Sequence, residues 1–195
     1  MFSEIENNIN WLAQCKKRAK YPVDRSDHAG LTAFEYGWKS FNNLYSEFKA
    51  GPDREKMRAC LNKYIVAQDF INTHRKSLVG FCDIHHHVYM TDVQYEDLNP
   101  RISNQVQRLK ESIAADDHSG SMTQLLDCLY TIRNARVHGS FGTGEVKFSF
   151  LPSVIYKINV AILASKLSTS AEALEAAIDA EVVRQKNEWR QSKAC

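Results

Sequence analysis

Arg133, Asn134, Arg136 and His138 stand within one short stretch, "TIRNARVHGSFGTG", residues 131–144. Side chains of these types can handle a phosphodiester. Arginine offers a planar fork that matches phosphate and stays charged. Histidine moves a proton near neutral pH. Asparagine adds a neutral donor and acceptor. Together they suit metal-free RNA cleavage. A 2′-hydroxyl attacks the neighbouring phosphorus, arginine steadies the charge developing on phosphate, and histidine shuttles protons. The same residue types are also ordinary in a last helical turn, where cations meet the negative end of the helix dipole. The elements around them must decide between the two readings.

The stretch closes a helix. Ser121 with Gln124 has capping-box spacing, and Leu125, Leu126, Leu129, Ile132 and Val137 follow at helical intervals. Gly139 sits where a left-handed C-terminal cap favours glycine. The spacing predicts a helix from Ser121 to His138. Residues on it advance by about 100°, so Asn134 and His138 share a face, while Arg133 lies about 140° from His138 and roughly one and a half turns back. Within one chain Arg133 and His138 are poor partners. An antiparallel crossing of two copies brings the arginine of one to the histidine of the other, so the spacing suits a site built across a two-fold axis. Arg136 is a lesser candidate, for RNA contact or a surface ion pair.

The rest of the chain is read mainly as helices. Ser3 with Glu6 precedes Ile5, Ile9 and Leu12 in an amphipathic helix to about Lys20. After the loop "YPVDRSDHAG", Asp27 caps a helix whose Leu31, Phe34, Trp38, Phe41, Tyr45 and Phe48 alternate steps of three and four, and Gly51-Pro52 ends it. Pro52 and Asp53 open a third helix with Met57, Leu61, Tyr64, Ile65 and Ile71 inward. Residues 80–99 fit neither period and read as irregular or a short helix. Asn99-Pro100 starts a helix through Val106, Leu109 and Ile113. "FGTGEVKFSF" alternates briefly, as a small hairpin would. Ser153 to Leu167 is apolar and helical, and Thr169 with Glu172 caps a more charged helix to about Arg190. The expected fold is all-α, one domain over residues 1–195 with its core at about 28–167 and a C-terminal helix at 168–195.

With 195 residues and 44% hydrophobic side chains the chain can bury a real core. No apolar run is long enough for a membrane span, and the N-terminus does not read as a secretory signal. Five scattered cysteines without a CxxC look like reduced thiols and suggest a cytoplasmic setting. A net charge of +2 is too small for a non-specific nucleic-acid coat, so any RNA contact is made by a local patch. Lys16, Lys17 and Arg18, at the end of the first helix with Lys20 and Arg25, are the best candidates for extra phosphate contacts. His85, His86 and His87 point in different directions on a helix or a strand and lack a partner cluster, so no metal site is expected. No cofactor is expected either. The aromatic stripe at helical spacing reads as core and not as a base-stacking platform.

"RNARVHG" resembles the signature of HEPN domains, in which an arginine is followed after four to six residues by a histidine near a helix end, often with a polar residue directly after the arginine. Asn134 matches that preference. "FEYGWKSFNNLY", Phe34 to Tyr45, is similar to a helix common in HEPN proteins, and the two motifs occur in the family's order. The resemblance covers about residues 28–167. It implies an antiparallel helical bundle that forms a homodimer, with Arg133 and His138 of both protomers lining one cleft. It also implies metal-independent endoribonuclease activity and a setting in toxin–antitoxin or phage-defence systems, with a cognate antitoxin or defence-system protein as partner. HEPN toxins silenced by nucleotidylation carry a tyrosine shortly after the histidine. Here Gly139, Ser140 and Phe141 follow, so that control does not carry over. Some HEPN domains do not cut, which leaves a function of another class: a non-catalytic module binding a nucleotide, RNA or a partner protein.

Overall fold

The computed structural model describes residues 2–20, 28–49, 51–90, 99–137 and 151–193. Among them are eight α-helices and no strand: α1 (Phe2–Lys20), α2 (His28–Tyr45), α3 (Asp53–Tyr64), α4 (Ala67–Met90), α5 (Asn99–Ala114), α6 (His118–Val137), α7 (Leu151–Leu167) and α8 (Ala171–Ser192). The all-α fold expected from the helical periodicity is the fold observed. Asp27, Gly139 and the hairpin expected in "FGTGEVKFSF" lie outside the described residues. The helices sort into two compact units, residues 1–49 with 151–195, and residues 50–150.

In the first unit α1, α2 and α8 each pack on α7. α7 is apolar nearly all round. Leu151, Val154, Ile155, Ile158, Ile162 and Leu163 are all buried, as a central helix requires. The stripe of α2 faces inward as a continuous ladder of rings. Phe34 lies 5.8 Å from Trp38, Trp38 lies 5.6 Å from Phe41, and Phe41 lies 5.3 Å from Tyr45. Buried amides fix how the helices align. Asn159 Nδ2 donates to the Gly37 carbonyl at 2.7 Å, and Ser40 Oγ donates to Asn8 Oδ1 at 2.9 Å. Gln185 Nε2 donates to Asn10 Oδ1 at 2.8 Å and ties α8 to α1. Each of these satisfies a polar group that would be costly to bury alone.

The second unit packs α4 on α5, α5 on α6, and both α3 and α4 on α6. Its core takes Met57, Leu61, Phe70, Ile71, Leu78, Phe81, Val106, Leu109, Ile113, Leu125, Leu129 and Ile132. The third helix, expected to carry Met57 through Ile71, is in fact two. Ile65 is extended (φ −120, ψ 125) and its amide closes the last turn on the Leu61 carbonyl. The chain restarts at Ala67 so that Phe70 and Ile71 can reach the core. Residues 80–90, where no period was legible, continue α4, and 91–98 lie outside the described residues.

Three caps also differ from the spacing. α1 already includes Ser3. α6 starts at His118, three residues early, because Asp117 Oδ1 accepts from the Gly120 amide at 2.8 Å, a charge-assisted cap. Ser121 is instead buried inside the first turn. α8 is capped by Ser170, not Thr169, through the Ala173 amide at 3.1 Å.

Candidate functional site

α6 has one job for each side. Leu125, Leu129 and Ile132 are fully buried, which leaves Arg133 and Asn134 half-buried at its C-terminal end. There the structure brings the two together. Arg133 Nη1 donates to Asn134 Oδ1 at 2.9 Å. The asparagine carbonyl thus holds one edge of the guanidinium and restricts where its fork points. Arg136 is in the last turn of α6, with its side chain outside the described ones, and His138 lies outside the described residues altogether.

Lys16, Lys17 and Arg18 belong to the other unit, in the last turns of α1. Lys16 Nζ pairs with Asp179 Oδ1 of α8 at 2.8 Å and sits 5.7 Å from the centre of the Tyr156 ring. Arg18 lies over Tyr36, 5.3 Å from its ring centre. Both cations are therefore held by their own unit and help to join its helices. Lys17 is half-buried beside them.

The site also contains residues that the linear pattern did not single out. From α3, Arg54 lies over the ring of Tyr130 at 4.8 Å, and Arg54 and Arg58 both reach the Asp127 carboxylate. Asp127, Tyr130 and Asn134 fall at intervals of three and four on α6, hence on one face. Arg54 and Arg58 look like a routine charged face in "DREKMRAC". Only the packing of α3 on α6 gives them aromatic and acidic neighbours some seventy positions away.

Comparison with protein-family models, with curated proteins and with solved structures gives no match. The chemistry of this face must therefore be argued from its own residues.

The described thiols of the chain are poor nucleophiles. Cys15, Cys60, Cys82 and Cys128 are buried and form no disulfide. Burial pushes the Cys15 and Cys82 thiols up to about 12, and Cys128 is raised by the same cause. Thiols so placed stay protonated and inert. Among the described residues no three His, Cys, Asp or Glu side chains are grouped to hold a metal ion. His85, His86 and His87 are in α4, with their side chains outside the described ones. No described helix is long and apolar enough to cross a membrane.

Proposed function

We propose that the chain is a HEPN-like, metal-independent endoribonuclease that acts as a homodimer on RNA in the cytoplasm, as a toxin or phage-defence effector. The observation that carries this reading is the Arg133–Asn134 hydrogen bond at the end of α6. It supports a guanidinium aimed at a ligand, on a helix whose apolar side is already spent on the core. Arg133 binds the phosphate, and Asn134 positions it. His138, the residue that follows Val137 in the chain, is the general acid. The 2′-oxygen bonds to phosphorus as the bond to the 5′-oxygen breaks. His138 protonates the departing oxygen, and the 2′-hydroxyl proton passes to solvent. The products are a 2′,3′-cyclic phosphate and a 5′-hydroxyl.

Purified protein incubated with mixed RNA in excess EDTA is expected to cut it and leave those cyclic ends. Activity lost in EDTA and restored by magnesium would refute the mechanism. No cleavage alongside tight RNA binding would favour the non-catalytic module.

The sequence spacing of Arg133 and His138 also predicts a dimer. Light scattering at tens of micromolar, an ordinary range for association, is expected to give twice the chain mass of 22.3 kDa. A monomer there rules out a site shared between two copies.

A further inference from the structure

The face of α6 that bears Asn134 continues toward the helix start through Tyr130 and Asp127. Tyr130 lies one turn, roughly 6 Å, from Asn134 along the axis. Two arginines from α3 lie against this stretch. The Arg54 guanidinium is 4.8 Å from the Tyr130 ring centre, with Nη1 3.8 Å from Asp127 Oδ1. Arg58 Nη2 is 3.4 Å from both Asp127 oxygens. One carboxylate faces two guanidiniums, so a positive charge is left over. The anion is also the covered partner. The Asp127 side chain is 17% exposed, against 34% for Arg54 and 45% for Arg58. Solvent therefore meets the cations.

Neither arginine is closed off by its ion pair. Both contacts to Asp127 are long for a guanidinium–carboxylate bond. Arg54 Nε is buried with no hydrogen-bond partner, so the ring does more than the carboxylate to orient this group. A guanidinium laid on an aromatic ring keeps its plane fixed, and its edge donors stay directed outward. Flat cationic and aromatic surfaces along a positive strip are how proteins hold single strands. The phosphates take the charge, and unstacked bases take the planar faces.

We propose that Arg54, Arg58 and Tyr130 form a track that docks single-stranded RNA and leads it to Arg133 and Asn134. The choice of RNA rests on the ribonuclease reading, whereas the track itself rests on the α3–α6 geometry. These are binding residues and take no part in bond breaking.

The test is fluorescence anisotropy with a labelled 2′-O-methyl oligouridylate of about ten nucleotides, a length within the reach of one single-strand site. This probe lacks the attacking hydroxyl and is not cut. Arg54→Gln with Arg58→Ala is expected to weaken binding about tenfold near 0.1 M salt, and to flatten the plot of log affinity against log salt by about 0.7 for each arginine lost. Asp127→Asn is expected to act the other way, with tighter binding and a steeper slope, a gain that damage to the fold does not produce. If the double variant fails to fold, Arg58→Ala alone and Asp127→Asn decide. Affinity and slope equal to wild type in folded variants would reduce the cluster to a clamp between α3 and α6 and overturn the track, while wild-type cleavage would still stand. A wild-type chain that neither binds the probe nor cuts RNA would end both proposals.

Discussion

Replacing His138 or Arg133 with alanine is expected to lower RNA cleavage by about a hundredfold or more, the usual cost of removing a positioned general acid in the first case and a charge that stabilises the transition state in the second, with folding and dimerisation unchanged. Arg133 is only half-buried near the C-terminal end of α6, at the margin of the face that buries Leu126 and Leu129, and is not itself a core side chain. Polar positions of this kind usually move stability by less than about half a kcal/mol. Asn134→Ala is expected to be milder, because it removes one hydrogen bond from the Arg133 guanidinium and leaves the charge in place. Rates are read at saturating RNA, and far-ultraviolet circular dichroism confirms the fold. A shared site adds a signature: a heterodimer of His138→Ala with Arg133→Ala collects both lesions in one catalytic pair and leaves the other intact, so part of the activity returns. Single variants that cut at the wild-type rate would leave the cluster as a capped helix end.

The largest effect on stability is expected at Gly37. A Cβ there falls 2.5 Å from Ile155 Cγ2 and 3.4 Å from Cys15 Sγ. Both neighbours are fully buried, so neither side chain has room to turn away. Glycine inside a helix is intrinsically worse than valine by a few tenths of a kcal/mol, so local preference alone predicts a gain from Gly37→Val. The clash outweighs it, and valine is expected to destabilise the unit by about 3 kcal/mol, the upper part of the overpacking range. It also pushes α2 from α7 at the point where Asn159 Nδ2 reaches the Gly37 carbonyl. Trp11, Trp38 and Trp189 all belong to this unit, so tryptophan fluorescence in urea follows its unfolding directly. Ile155→Ala added to Gly37→Val is expected to recover part of the loss. A Gly37→Val chain as stable as wild type would refute the tight packing of α2 on α7 at this point.

The sequence made some of this molecule legible and hid the rest for physical reasons. The α2 stripe could be read because one face of that helix does nothing but pack. The same holds for α5, whose Val106, Leu109 and Ile113 are all buried. The break between α3 and α4 was hidden. Ile65 and Val66 carry no glycine or proline, and it is tertiary packing of Phe70 and Ile71 that turns the chain. Residues 80–90 gave no period, yet they continue a helix already begun at Ala67. At α6 the Ser121–Gln124 spacing pointed to a start at Ser121, but the charged Asp117 side chain caps the helix about one turn sooner. Arg133 and Asn134 stood out because both lie in one short segment. Arg54 and Arg58 did not, since their meaning depends on Tyr130 and Asp127, which are remote in sequence.

The first unit is interrupted: α2 ends before residue 50 and its packing partner α7 begins at Leu151, with the whole second unit between them. On the ribosome this sets an order of birth. At roughly 5–20 residues per second, α2 waits about 5–20 s for α7 to be synthesised. During that time the rings of Phe34, Trp38 and Phe41 have no α7 to cover them. The second unit has every residue it needs by position 150, so the helix that carries Arg133 can mature while half of the first unit does not yet exist.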